Sequence, residues 1–130
     1  MKAIKQTVYF NATPHEVFEL LMDSKKHEGF SGHHAHISRA KNGAFEAYDG
    51  WIKGKNLEIV KDKRIVQAWR GADWEPGYYS KAEFNFKKKG KGCQLTLTHT
   101  RVPDKHYNGI NKGWKDHYWK KMKDYLQKVK

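Results

Sequence analysis

The sequence predicts an α+β fold in which a curved antiparallel sheet of six to seven strands wraps around one long C-terminal helix. Three features predict it: a strand followed by two short helices, a middle third of short strands separated by tight turns, and a long amphipathic segment at the end. A chain of 130 residues is long enough for one hydrophobic core. We therefore expect a single domain, residues 1–130.

The first elements are a strand and a capped helix. Residues 2–10 alternate with period two and place their apolar side chains on one face: Ile4, Val8 and Phe10. Thr13 and Glu16 form a T-x-x-E capping box, which predicts a helix start there. The apolar face of this helix is Val17, Phe18, Leu21 and Met22. A second short helix is expected from Asp23 or Ser24 to near Gly29.

The segment between the second helix and Pro103 contains strands and turns. The turn signals are Asn42-Gly43, Asp49-Gly50, Lys61-Asp62-Lys63, Glu75-Pro76-Gly77 and the KKKGKG run. Such dipeptides and short Gly-containing loops connect antiparallel strands. The spacing predicts about six strands between the helices, nearly all antiparallel, because the loops are too short for crossovers.

The last segment predicts one amphipathic helix from about Asp104 to Val129, roughly 39 Å long. Its apolar stripe recurs at steps of three and four: Trp114, Tyr118, Met122, Tyr125 and Val129, widened by Trp119 and Leu126. Gly109 and Gly113 are unfavourable inside a helix by roughly 1 kcal/mol each. They indicate a close approach to the sheet, room for a ligand, or an irregular helix start.

The charge and the single cysteine limit the classes of partner. A net charge of +12 favours acidic partners. Only four of the 26 basic residues are arginines, which argues against specific nucleic-acid recognition. No apolar run is long enough for membrane insertion. Cys93 has no partner for a disulfide within the chain, so we expect a reducing, cytoplasmic location.

The stretch IVQAWRGADW places two tryptophans on either side of a loop. By strand alternation Trp69 faces the core. Trp74 follows the strand, beyond Gly71-Ala72-Asp73. There it either closes the loop over a cavity or offers an aromatic contact to a partner. Arg70 either holds the loop through an ion pair with Asp73 or Glu75, or binds an acidic group of a partner. The expected rim of a partner-binding surface is Arg70, Trp74 and Tyr78.

The last strand directs one apolar face at the helix. Period two places Cys93, Leu95, Leu97 and His99 on that face. His99 is interpreted as a hydrogen-bonded core histidine or, with Tyr118 or Tyr125, as the polar anchor of a cavity. The residues expected to line such a cavity are Trp69, Phe84, Leu97, His99, Trp114, Tyr118 and Met122.

Signatures of metal binding and catalysis are weak. The HHAH run of His33, His34 and His36 suggests metal binding. His34 and His36 share a strand face, with His27 as a third candidate, whereas a zinc site normally uses three or four protein ligands. We expect no metal and no cofactor.

No linear nucleophile or phosphate-loop motif is present, Cys93 is placed for packing, and the carboxylates cannot be paired from sequence.

The element order resembles the helix-grip superfamily of START domains and birch-pollen-allergen-like proteins. IVQAWRGADW, Tyr79-Ser80, Val102-Pro103 and Gly113-Trp114 with Tyr118-Trp119 resemble the family of activators of the heat-shock protein 90 ATPase. The resemblance covers nearly the whole chain. One departure is that eukaryotic activators have an additional N-terminal domain, which we do not expect within these 130 residues.

The resemblance implies a non-catalytic, co-chaperone-like binding protein of the stress response, with a heat-shock protein 90 chaperone as partner. An acidic chaperone surface would suit the basic charge. Two alternatives remain open. One is a carrier or sensor of a small apolar ligand held between sheet and helix, and the other is a cavity enzyme of the cyclase or hydratase type. We expect a monomer or a weak dimer.

Overall fold

The computed structural model describes residues 2–129, which form a seven-stranded antiparallel sheet and a long terminal helix. The strand order is β1-β7-β6-β5-β4-β3-β2. The strands are β1 (Lys2–Phe10), β2 (His36–Ile37), β3 (Ala44–Ala47), β4 (Ile52–Val60), β5 (Arg64–Gly71), β6 (Ser80–Lys89) and β7 (Gly92–Val102). Six strands therefore lie between the helices, as predicted, and the helix-grip fold is confirmed.

The two short helices follow β1 and cover one end of the sheet. Helix α1 (Pro14–Met22) has the predicted capping box, since Thr13 Oγ1 accepts from the Glu16 amide at 3.1 Å and Glu16 Oε1 accepts from the Thr13 amide at 2.9 Å. Helix α2 (Ser24–Ser31) has Asp23 as its N-cap. It ends beyond the predicted Gly29, because Gly32 is the residue that adopts the left-handed C-cap, with φ of 77°.

The predicted turns lie between the expected strands. Asn42 and Asp62 adopt positive φ, which these side chains tolerate better than most. Asp49-Gly50 belongs to a short 3₁₀ turn, Tyr48–Gly50, in which Tyr48 and Asp49 also have positive φ. This turn is more strained than the predicted two-residue hairpin, and it points the Tyr48 ring toward the terminal helix.

The terminal helix occupies the predicted span but is not uniform. It consists of a 3₁₀ turn (Asp104–His106), α3 (Tyr107–Gly113), a π segment (Trp114–Trp119) and α4 (Lys120–Lys128). In the π segment the Lys120 amide donates to the Lys115 carbonyl, a spacing of five residues. This spacing brings Trp114 and Trp119 onto one face, where their rings stack with centroids 5.5 Å apart. The uniform α-helix of the prediction would have separated them around the axis.

The helix is fixed to the sheet by apolar packing and by hydrogen bonds that include those of Gln6. Cys93, Leu95, Leu97 and His99 of β7 are fully buried beneath it, as strand alternation predicts. Gln6 of β1 donates to the carbonyl of Asn111 at 2.8 Å and accepts from Trp119 Nε1 at 2.6 Å. Within residues 2–129, none of the helices has the length and apolar character needed to span a membrane.

Candidate functional site

A cavity of about 520 Å³ lies between the terminal helix, from Lys105 to Lys121, and the β4–β5 side of the sheet. Its apolar wall consists of Trp51, Ile52, Trp69, Ile110 and Trp114, with Gly109 and Gly113 on the helix. Its polar lining consists of His33, Tyr48, Asp73, Lys105, His106, His117, Tyr118 and Lys121. The volume and the mixture of aromatic walls with a few polar groups are typical of small-molecule sites.

The two glycines of α3 leave room for the cavity. A Cβ atom built on Gly109 would have no heavy atom within 4 Å, and one built on Gly113 would meet only His117 Cδ2, at 3.8 Å. Close approach of the helix backbone to the sheet therefore does not explain these glycines. The space beside them is open, and Gly113 also directly precedes the π segment.

Only part of the predicted cavity lining borders this space. Trp69, Trp114 and Tyr118 line it, whereas Phe84, Leu97, His99 and Met122 do not. The reason is the Trp114 indole, which packs edge-on against Phe84 with centroids 5.6 Å apart and fills the gap between the helix and the central strands. The four residues form a closed core, and the open volume lies toward β4 and the turn at Tyr48.

His99 belongs to a hydrogen-bonded chain in that core. Trp114 Nε1 donates to His99 Nδ1 at 3.1 Å, so Nδ1 is the acceptor and the ring proton is on Nε2. Nε2 donates to Ser80 Oγ at 2.7 Å, and Ser80 donates to the Trp69 carbonyl. Burial lowers the pKa of His99 to about 3. Its partners are thus Trp114 and Ser80, not the predicted Tyr118 or Tyr125, because it lies too deep in the sheet to reach them.

Tyr118 pairs with a different histidine. Its hydroxyl lies 3.1 Å from His27 Nε2 of α2, and both side chains are buried. Burial lowers the pKa of His27 to about 4 and raises that of Tyr118 well above its usual range. Both groups are therefore neutral near pH 7. This contact joins the π segment to α2 while the Tyr118 ring still borders the cavity.

One end of the cavity is formed by four side chains that the sequence did not indicate: Tyr48, His33, His117 and Lys121, called here the Tyr48 cluster. The Tyr48 hydroxyl donates to the His117 carbonyl. The His33 ring lies 5.2 Å from the Tyr48 ring, and Lys121 Nζ lies 6.0 Å from its centroid. Burial raises the pKa of Tyr48.

The sequence predicted a turn next to Tyr48 but not the cluster itself. Asp49-Gly50 marked a turn, but nothing in the sequence showed that the turn faces the terminal helix. His33 Nδ1 contacts Asp49 Oδ2 at 2.7 Å, and this hydrogen bond lowers the pKa of Asp49. His34 contacts Glu28 at 2.9 Å. Across residues 2–129, no three His, Cys, Asp or Glu side chains are grouped to hold a metal ion.

The residues predicted to form a partner-binding rim instead hold the Trp74 loop against the rest of the protein. Trp74 is 3% exposed, lies 5.5 Å from the Trp69 ring and stacks on His106. It therefore holds the loop down and does not present its ring to a partner. The Arg70 guanidinium donates to the carbonyls of Trp74, Glu75 and Tyr78, not to the predicted carboxylates of Asp73 or Glu75. Tyr78 donates to the Arg101 carbonyl at 2.6 Å.

The face of the sheet opposite the helix carries an exposed basic region. Lys53 pairs in register with Arg70, and Lys55 and Lys81 both pair with Ala68. These three lysines are exposed and lie on β4 and β6, which flank β5 and are therefore about 9.6 Å apart. Tyr79 is 43% exposed next to them, with Arg70 at 5.9 Å from its ring. Lys53, Lys55, Lys81 and Tyr79 are called here the basic outer face.

The curved sheet, the irregular terminal helix and the cavity between them define a small helix-grip domain. Comparison with known proteins places it more narrowly. The model of the family "Activator of Hsp90 ATPase homolog 1-like protein" matches residues 11–127, and the chain belongs to this family.

Relatives with this fold include chaperone activators and other proteins. The activator of 90 kDa heat shock protein ATPase homolog 2 from Mus musculus is 24% identical over 125 residues, which are 96% of this chain and 38% of that protein. The chain thus spans little more than a third of the curated relative.

Two solved structures share the fold. An HSP90 activator from Plasmodium falciparum has a TM-score of 0.91 at 24% identity, with 98% of this chain and 97% of that chain covered. A protein in the dynemicin biosynthetic locus has a TM-score of 0.82 at 15% identity, with 100% of this chain and 49% of that chain covered.

Proposed function

We propose that this chain is a non-catalytic, co-chaperone-like protein of the cytoplasm that binds an Hsp90-type chaperone through the basic outer face. The observation that carries the proposal is the family match over residues 11–127, which contains every strand of that face. Some relatives are ATPase activators of such chaperones. Activation of the chaperone requires binding, and binding requires a surface that is accessible in the free protein.

The basic outer face meets this requirement better than the Trp74 loop. Its lysine side chains are exposed, and the six salt bridges found among residues 2–129 involve none of them. Glu83, on the same face of β6, is already paired with Arg64 at 3.0 Å. Glu46 of β3 lies opposite Lys53 in the strand register, whereas Lys55 and Lys81 lie opposite alanines. Complementary charge speeds association and selects the partner. An acidic region of the chaperone is the expected counterpart.

The test is the affinity of the purified chain for a purified Hsp90-type chaperone, measured by fluorescence anisotropy at physiological salt. The double charge reversal Lys55→Glu with Lys81→Glu should weaken binding by about ten-fold or more, since it places like charges against the acidic partner. The matched control is Lys88→Glu with Lys89→Glu, which makes the same charge change at the other end of β6.

The possible results distinguish direct contact through the basic outer face from general attraction by the net positive charge. If both double variants lose the same affinity, binding depends on the net charge of the protein. The basic outer face would then not be the binding surface. Absence of binding by the wild-type chain, with and without nucleotide on the chaperone, would overturn the co-chaperone proposal itself.

A second candidate function rests on the cavity. A space of about 520 Å³ with a wall of tryptophan and isoleucine, left open by two glycines, is suited to a small apolar molecule. The chain would then be a carrier or sensor, and the same fold occurs in a protein of the dynemicin biosynthetic locus.

Phenylnaphthylamine, a neutral apolar fluorophore, tests this second candidate. Binding should increase its fluorescence and raise the melting temperature of the protein. Gly109→Leu should abolish both effects because its side chain would enter the open space, whereas Asn108→Leu, at an exposed position of the same helix, should preserve them. If the wild-type chain gives neither effect, the carrier proposal fails.

A further inference from the structure

The two ends of the cavity differ in charge. Asp73 and Lys105 line one end and carry opposite charges. Lys121 lines the other end, about 24 Å further along the helix axis. Within residues 2–129 no acid lines that end of the cavity, and Asp49, next to Tyr48, already accepts from the His33 ring at 2.7 Å and from the His34 amide at 2.8 Å. The end at Lys121 therefore has a surplus of positive charge.

Lys121 is held in place and is only half exposed. Its ammonium group donates to the Ser31 carbonyl at 3.3 Å and lies over the Tyr48 ring. An ammonium group has three donor hydrogens, and among residues 2–129 it has no carboxylate within salt-bridge distance. A partly buried cation without a counter-charge is unfavourable, and an anion bound beside it would relieve that cost.

The remaining members of the Tyr48 cluster add polar groups around the same point. The His117 ring packs edge-on against Tyr48 at 6.0 Å, and its Cδ2 faces the open side of Gly113. His33 packs on Tyr48 from the side of α2. Two imidazoles and one ammonium thus surround one aromatic ring at the cavity end. From this point the apolar wall of Trp114, Ile110 and Trp69 extends toward the other end.

We propose that the cavity binds an amphipathic molecule with an aromatic or aliphatic body and a single anionic head, such as a carboxylate or sulfonate. The body lies along the wall of Trp69, Ile110 and Trp114, and the head lies against Lys121. The inference rests on the second candidate function, because it names the chemical class of the ligand that the cavity would carry. It assigns Lys121 as the residue that selects an anion.

Two fluorophores with one shared body separate this inference from cavity binding in general. Anilinonaphthalene sulfonate carries the ring system of phenylnaphthylamine together with one sulfonate. Fluorescence titrations at about 0.15 M salt reduce long-range attraction by the net charge. We expect the sulfonate to bind at least about ten-fold more tightly than the neutral amine, a difference of about 1.4 kcal/mol.

Three variants locate the source of the preference. Lys121→Gln should remove most of the ten-fold difference, and Lys121→Arg should restore it. Lys120→Gln is the matched control, since it removes the same charge from the neighbouring, exposed position outside the cavity lining. Melting temperatures of all three variants show whether each remains folded, and the neutral amine should bind all of them as it binds the wild type.

Each result has one consequence. Equal affinity for the two fluorophores, or an equal loss of sulfonate affinity in Lys120→Gln and Lys121→Gln, would overturn the anionic-head inference while leaving the carrier function standing. If neither fluorophore binds, both the inference and the carrier function fail. A preference that depends on Lys121 and is restored by arginine supports the inference.

Discussion

Replacing the two helix glycines by alanine should stabilise the protein, although glycine-to-alanine changes often disturb packed structures. Alanine is favoured over glycine in a helix by about 1 kcal/mol. At Gly109 the new methyl group would meet no heavy atom within 4 Å, and at Gly113 it would meet only His117 Cδ2 at an ordinary contact distance of 3.8 Å. Gly113 already has helical dihedral angles, φ −59° and ψ −38°. No steric clash of the new methyl group therefore offsets the gain in stability.

The expected gain is about 1 kcal/mol for each variant and about 2 kcal/mol for the pair, since the two methyl groups do not touch. For a chain of this size the pair should raise the melting temperature by roughly 8 °C. Urea unfolding followed by tryptophan fluorescence measures the change, with the slope m checked for constancy.

The matched control is Gly54→Ala in β4. A Cβ at Gly54 would lie 1.8 Å from the Ala68 carbonyl oxygen, so this variant should be strongly destabilised. Unchanged or lowered stability in Gly109→Ala and Gly113→Ala, at constant m, would refute the reasoning, because it would mean that the space beside α3 is filled. The result bears on function, since a stabilising alanine was available at both positions and glycine leaves the cavity open.

Two further predictions concern the buried histidines and the Trp74 loop. Burial places the pKa values of His27 and His99 at about 4 and about 3, below the ordinary 6.5, so the unfolded chain binds these protons first as the pH falls. Their contribution to stability is complete above about pH 6.5 and decreases below it, by up to about 2 kcal/mol for each histidine at about pH 5. Urea unfolding at several pH values should show a shallower decrease for His99→Gln than for the wild type. The exposed control His36→Gln should follow the wild type, and parallel curves for all three proteins would contradict the assignment. Arg70→Gln removes the donors to three carbonyl groups of the Trp74 loop and should destabilise the protein by about 1–3 kcal/mol. Hydrogen exchange should then be faster at residues 72–78, and unchanged exchange there would show that Trp74 alone holds the loop.

The sequence predicted those parts of the structure that depend on neighbouring residues. The capping box of Thr13 and Glu16, the turn at Asp62 and the buried face of β7 each follow from side chains a few positions apart. The extent of the terminal helix was also predictable from its apolar stripe, although Val129, the last predicted member of that stripe, is exposed.

Features that depend on contacts distant in sequence were not predictable. Trp114 and Trp119 stack because both must enter one gap between helix and sheet, and this requirement, not local propensity, favours the π segment. The Tyr48 cluster joins residues from 33 to 121, and its geometry depends on an unusual backbone at Tyr48. Trp74 has the loop position expected of a rim residue, but its burial against Trp69 and His106 depends on the fold.

The most direct test of the central proposal is the ATP turnover of a purified Hsp90-type chaperone during titration with this chain. We expect turnover to rise and to saturate with added chain. Lys55→Glu with Lys81→Glu should suppress this rise, whereas Lys88→Glu with Lys89→Glu should not. A turnover that stays at its basal value throughout the titration, while the chain remains folded, would contradict the proposal.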